Sequence, residues 1–225
     1  MPPLQRLCCL LASLATLSAC TTQQTAPTSA DSWIQHQQTV AALSSWEFSG
    51  KVSIKTATNA DSARLHWLQQ GDHLRLEVSG PVGLKKVIFE RDGTSLKVFR
   101  NKQWQPLPSV AGGLEAELGW PLPLDLLSWW LRGLPAPGVT ITSRHVAEGR
   151  LQELGQDGWT LHYLAYATVG GINLPSSIRF QRDDVSGKIL LKRWTLPRAD
   201  INKPRADIEL PRADTEKPKA DIETP

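Results

Sequence analysis

The segment His73-Leu74-Arg75-Leu76-Glu77-Val78-Ser79 constrains the fold more than any other part of the chain. Leu74, Leu76 and Val78 alternate with Arg75 and Glu77, so an extended strand here is apolar on one side and charged on the other. A period of two with one wet face is the habit of antiparallel sheets. The flanking sequence supplies matching strands and turns. "SARLHWLQQ" precedes it across Gly71-Asp72, while "LKKVIFE" and "SLKVFR" follow, separated by Asp92-Gly93. "WEFSGKVSIK" begins the series, and from Val139 the pattern resumes with "VTITSRHV", "RLQELGQ", "WTLHYLAYA", "SSIRFQR" and "KILLKRWTL". The expected architecture is therefore mainly β (α+β), a meander of antiparallel strands joined by short turns.

Two stretches depart from that period. Ser32 is placed to cap a helix from Trp33 to about Leu43. In the middle of the chain, "SVAGGLEAELGWPLPLDLLSWWLRGLPAPG" has helical spacing in two pieces, interrupted at Pro121 and Pro123. Proline suits a first helical turn and not a helix interior. The second piece is expected to end at Gly133, before Pro135.

The chain ends are of a different kind. Arg6, the apolar run Leu7 to Leu17, and Ser18-Ala19-Cys20 have the layout of a bacterial lipoprotein signal, too short to remain as a membrane-spanning helix. Cys20 is the expected lipidation site, and Thr21 in place of Asp points to the outer membrane. Cys8 and Cys9 would leave with the leader, so no thiol remains to form a disulfide and the domain must stand on its core. The expected organisation is a signal peptide over 1–19, a flexible tether over 20–31, one domain over 32–196, and a tail over 197–225. That tail repeats a seven-residue unit, "PRADINK", "PRADIEL", "PRADTEK", "PKADIET". A proline in every unit excludes a coiled coil, and the balanced charge with few apolar residues predicts disorder.

Nothing in the chain presents a catalytic pattern. His36, His66, His73, His145 and His162 show no zinc-protease spacing, and no phosphate-cradling glycine loop or nucleophile elbow is present. Asp183 and Asp184 fall in a turn and read as solvated. No cofactor, metal or enzymatic activity is expected. The formal charge of +3, spread among interleaved acids, gives no case for nucleic acid.

The unusual features are apolar. Nine tryptophans accompany one methionine, and Trp129 and Trp130 stand together in "LDLLSWWLRGLP". Leu126, Leu127, Trp130 and Leu131 form an apolar stripe on that helix. The stripe either fills a core against the sheet or covers a cavity that large rings line without filling. The turn "SGPVGLKKV" presents Val82, with Leu84 close by and Lys85 and Lys86 behind. It either only reverses the chain or dips an apolar tip into a membrane interface.

From the lipobox through Trp194 the chain resembles the LolB family, on "WIQHQQTVAAL", "GWPLPLDLLSWWLRGLP" and the Pro-Val-Gly turn before a strand. The resemblance implies an antiparallel sheet curled into an incomplete barrel, with a helical lid over a hydrophobic cavity. It implies an outer-membrane receptor, anchored on the periplasmic face, that accepts lipoproteins from the periplasmic carrier LolA and inserts them into the membrane. The implied partners are LolA, lipoprotein acyl chains and outer-membrane phospholipid, with the protein acting as a monomer. Val82 matches the position of the family's apolar loop residue, commonly Leu, and the shorter valine leaves Leu84 to share the role. Leu126, Leu127, Trp130 and Leu131 are the candidate lid and acyl-cavity residues. The repeated tail is not part of the family pattern.

Each buried methylene is worth about 0.8 kcal/mol, so one long chain in water costs on the order of 10 kcal/mol. An acceptor that binds chains better than the donor and less well than a bilayer makes transfer run downhill without nucleotide hydrolysis. Two other readings use the same residues: an outer-membrane scaffold with a fully packed core, and a lipid-modifying enzyme with an apolar substrate site.

Overall fold

The computed structural model describes residues 29–80, 86–100, 102–107, 118–119 and 123–197. Cys20, Val82 and Leu84, most of the first helical piece of the middle segment and nearly all of the repeated tail lie outside the described residues. A helix, α1 (Ser29–Ala41), leads into six strands: β1 (Ser45–Lys55), β2 (Ala60–Gln70), β3 (His73–Ser79), β4 (Lys86–Asp92), β5 (Ser95–Arg100) and β6 (Gln103–Pro106). A second helix, α2 (Leu124–Trp130), precedes β7 (Ile141–Ala147), β8 (Arg150–Gln156), β9 (Trp159–Val169), β10 (Ile172–Arg182) and β11 (Val185–Thr195).

All eleven strands join one sheet in the order β6-β5-β4-β3-β2-β1-β11-β10-β9-β8-β7. The chain starts at the centre, works outward to β6, crosses to the far edge at β7, and returns until β11 pairs antiparallel with β1. β6 and β7 do not pair, so the barrel stays open. The connection between those two edges carries α2, whose residues meet the inner face of the sheet.

One cross-strand row shows how the period of two becomes a core. Phe48 faces Trp67, Trp67 faces Leu76, Leu76 faces Phe89, and Phe89 faces Val98. All five are buried, each worth about 2 kcal/mol or more against exposure. Trp46 stacks on Trp67 with ring centroids 5.6 Å apart, and Trp194 leans on Phe48 at 5.3 Å.

Three sequence expectations shift. α1 begins at Ser29, so Ser32 is inside the helix and not its cap, and the first turn occupies the end of the expected tether. Asp31 lies in that first turn, where a carboxylate suits the positive end of the helix dipole. Ser32 itself packs against the β7–β8 turn, where a Cβ added to Gly149 would come within 2.9 Å of its Cβ. Strand β6 has no counterpart in the sequence reading. It is four residues long, exposed on three of them, and ends at Pro106, so it lacks both the length and the alternation of a strand signal. Among the described residues no helix is long and apolar enough to cross a membrane.

Candidate functional site: an apolar hollow beneath a helical lid

α2 is short and starts without a side-chain cap. Pro123 stands at its N-terminal boundary and supplies the carbonyl that accepts from Leu126 and Leu127 N–H at 3.0 and 2.9 Å. Its other end is closed firmly. Leu134 N–H bonds Trp129 O at 3.1 Å and Gly133 N–H bonds Trp130 O at 3.0 Å, the paired bonds of a Schellman motif. Gly133 takes φ +78°, and a Cβ there would press within 3.1 Å of the Tyr166 hydroxyl, so both torsion and space call for glycine.

Between α2 and the inner face of the sheet lies a cavity of about 40 Å³. Pro123, Leu127, Trp130 and Leu131 form its lid side. Val52, Leu65, Trp67 and Leu76 form one wall, and Trp159, Leu161, Phe180 and Ile189 the other. Among the described residues the walls hold no charged side chain. Trp67 and Trp130 direct their indole N–H groups to Gln69 and Gln156 at 3.2 and 2.9 Å, while Trp159 Nε1 is buried with no acceptor among the described residues. An unsatisfied buried donor costs about 1–3 kcal/mol.

Of the four stripe residues, Leu127, Trp130 and Leu131 meet at the hollow. Leu126 is half-buried against the core and is not among the lining residues.

Two residues that motif reading missed hold the lid's C-terminal end. Gln156 at the end of β8 is fully buried. Its Oε1 accepts from Trp130 Nε1 at 2.9 Å and from Ala136 N–H at 2.8 Å, and its Nε2 donates to Ala136 O and Val139 O at 3.0 and 2.9 Å. All four hydrogen-bonding positions of the amide are used. Arg132 is buried, with no carboxylate paired to it among the described residues. Its guanidinium donates to Ser128 O at 2.9 Å and to Val40 O and Leu43 O at 3.2 Å each, so it ties the end of α2 to the end of α1. It also lies 4.8 Å from the Trp129 ring centroid and 5.7 Å from that of Trp46. Burial lowers its pKa to about 10, which leaves it charged at neutral pH. The Tyr163 hydroxyl, its pKa pushed up by burial and then by Tyr166, donates to Trp130 O at 3.1 Å. The sequence signal for both residues was weak. Arg132 stood in the quoted "LRGLP", and Gln156 was one polar residue at a strand end.

No group of three or more metal-binding side chains occurs among the described residues. His66 instead pairs with Glu47 at 2.8 Å, and His162 lies 3.7 Å from Glu153, both on the outer face. Among the described residues the lining of this hollow offers apolar contact.

An unclosed antiparallel sheet with an apolar hollow beneath a helix places the molecule among incomplete-barrel proteins with an apolar interior. Within that class the chain belongs to the LolB family: the model described as "Outer membrane lipoprotein LolB" matches residues 44–194. The outer-membrane lipoprotein LolB of Stutzerimonas stutzeri is 38% identical over 170 residues, covering 75% of this chain and 82% of that protein. The LolB of Pseudomonas aeruginosa is 34% identical over 167 residues, covering 73% and 81%. Among solved structures, a LolA superfamily protein from Nitrosomonas europaea aligns with a TM-score of 0.49 and 11% identity, covering 77% of this chain and 95% of that one.

Proposed function

We propose that this protein is an outer-membrane lipoprotein, held by a lipidated Cys20, that accepts lipoprotein acyl chains from a LolA-type carrier under α2 and passes them to the membrane. Family membership gives the lipoprotein-localisation role. The observation that carries the finer reading is the wholly apolar hollow whose lid is fixed at one end by hydrogen bonds and seated at the other by apolar contact.

The size of the hollow dictates a motion. A cavity of roughly 150 Å³ is what admits a benzene, so about 40 Å³ holds no acyl chain. Loading therefore requires the lid to lift. Leu124 and Leu127 give up contact with the sheet as it does, and methylenes of the incoming chain replace them at about 0.8 kcal/mol each. Exchange of like for like keeps the barrier low and accepts chains from many passengers, because no directional bond reads the ligand. Release then follows from the greater apolar area a bilayer offers. In this scheme the loop carrying Val82 and Leu84 acts where the chains leave.

The test is uptake of a fluorescent fatty acid by the chain lacking its first 20 residues, with displacement by diacylated lipoprotein. Saturable, displaceable uptake is expected, and its absence favours a packed scaffold. Recovery of cleaved or altered lipid would point instead to an enzyme. Val82→Glu should leave acceptance from a loaded carrier intact and impair insertion; equal loss of both steps would remove the loop from the mechanism.

A further inference from the structure

The outer face of the sheet carries its cations in two ways. Over β3 to β5 each is matched by an acid: Arg75 donates to Glu77 at 3.2 Å and Glu90 at 2.5 Å, Lys97 lies 3.1 Å from Glu90, and Lys86 lies 2.6 Å from Glu77. Across β2, β1, β11 and β10 the cations include Arg64, Lys51, Lys192, Arg193, Lys188 and Arg179, all exposed. None of these six makes an ion pair or side-chain hydrogen bond among the described residues.

The register makes this arrangement costly. Lys51 stands directly opposite Arg64, and Lys188 directly opposite Arg179. Like charges in such positions destabilise a sheet. Lys192 is the extra residue of a bulge, because Ser49 pairs with Arg193 while Gly50 pairs with Leu191. Bulges re-aim side chains, and this one leaves Lys192 and Arg193 exposed side by side. It depends on Gly50, where a Cβ would sit 2.2 Å from the Leu190 carbonyl oxygen. Lys51, Arg64, Lys192 and Arg193 meet around one open groove.

We propose that this face docks on an anionic phospholipid surface, with the unpaired cations taking phosphate-bearing headgroups. A broad, exposed array spread over four strands fits a plane of charges better than a single small anion. Its position agrees: Lys86, Ser79, Arg64 and Lys51 form one cross-strand row, and the connection that carries Val82 and Leu84 leaves and re-enters the sheet at the Ser79–Lys86 pair. The inference rests on the proposed membrane delivery only for the sense of that placement.

The experiment uses the lipidated chain anchored in vesicles, with a fluorophore on Ser53→Cys. Ser53 is exposed opposite Lys188 on the same face. Energy transfer to a headgroup-labelled lipid reports docking. It should rise when phosphatidylglycerol is mixed into phosphatidylcholine and fall again with added salt. Arg64→Gln or Lys192→Gln should each lower the ratio of docked to undocked protein about fivefold. Arg144→Gln, on the edge strand β7, removes the same charge and should change little. Lys51→Gln should weaken docking while the thermal midpoint holds or rises, since it relieves a repulsion. Equal transfer in both lipids, or an equal loss with Arg144→Gln, would overturn the proposal. Shielding of the label by polyaspartate but not by phosphatidylglycerol would also overturn it and assign the face to an acidic protein. Docking lost with lipoprotein transfer retained would leave the proposed function standing; the reverse outcome would remove that function and leave this surface.

Discussion

The two ends of α2 are held by different physics. At the C-terminal end, Trp130, Arg132 and Ala136 are fixed by buried hydrogen bonds to Gln156, to the α1 carbonyls and to Tyr163. At the N-terminal end, Pro123 offers no capping side chain, Leu124 and Leu127 are buried by contact alone, and one ion pair joins Asp125 to Arg91. Apolar contact is non-directional, and a fatty chain can replace it. A buried hydrogen bond cannot be replaced by a methylene, because the stranded donor keeps its full desolvation cost. The difference predicts a lid that pivots at its anchored Trp130 end and opens at Pro123.

Gln156→Leu tests the contrast most severely. It strands two donors and two carbonyls at once, and should cost about 3 kcal/mol or more. In a domain of this size that lowers the thermal midpoint by roughly 10 °C, readable by circular dichroism. A change under about 1 kcal/mol would mean that the anchored end is not anchored. Arg132→Met comes next. It keeps much of the stem's packing, loses the carbonyl bonds to α1, and should cost about 2 kcal/mol while loosening the hinge. Exchange of the Trp130 indole proton should quicken in this variant, and unchanged exchange would relocate the hinge. At the opposite end Asp125→Ala should cost less than about 1 kcal/mol, since Asp125 is largely exposed. Fatty-acid uptake should nonetheless become severalfold faster; slower uptake would mean the lid opens from the other end.

The smallest expected effect is one of pH. His36 on α1 has its pKa lowered by burial and then by the Arg150 charge, and its Nε2 is buried with no hydrogen-bond partner among the described residues. The folded state therefore favours the neutral ring. The stability this confers is complete above the ordinary value of 6.5 and is lost as pH falls below it, through the depressed folded value. The thermal midpoint should dip slightly between about pH 7.5 and 5.5. His36→Gln should flatten that dip, and an unchanged dip would assign it to another group.

Much of this was legible beforehand, for a local reason. The alternation Leu74-Arg75-Leu76-Glu77-Val78 needs no knowledge of distant residues to declare a strand with one wet face. Asp92-Gly93 declared a reversal, and Gly133 the end of a helix. The stripe Leu127, Trp130 and Leu131 was likewise readable from spacing, while Leu126 shared the spacing and falls outside the cavity wall. Spacing gives a sector of the helix, and the exact tilt of the helix on the sheet selects within it. Strand β6 was illegible because its pairing with β5, and not its own composition, makes it a strand.

Sequence by itself determined an antiparallel meander interrupted by a proline-led amphipathic helix, because hydrophobic periodicity and turn chemistry act over a few residues. Only the tertiary structure decided which polar groups hold the lid, since Arg132 bonds a carbonyl 92 positions away and Gln156 an indole 26 positions away. It also decided the size of the hollow and the gathering of unpaired cations on one outer face. A cavity volume is a small remainder of many packed side chains, and a charge cluster depends on register and on a bulge at Gly50. Such quantities arise only when distant segments meet.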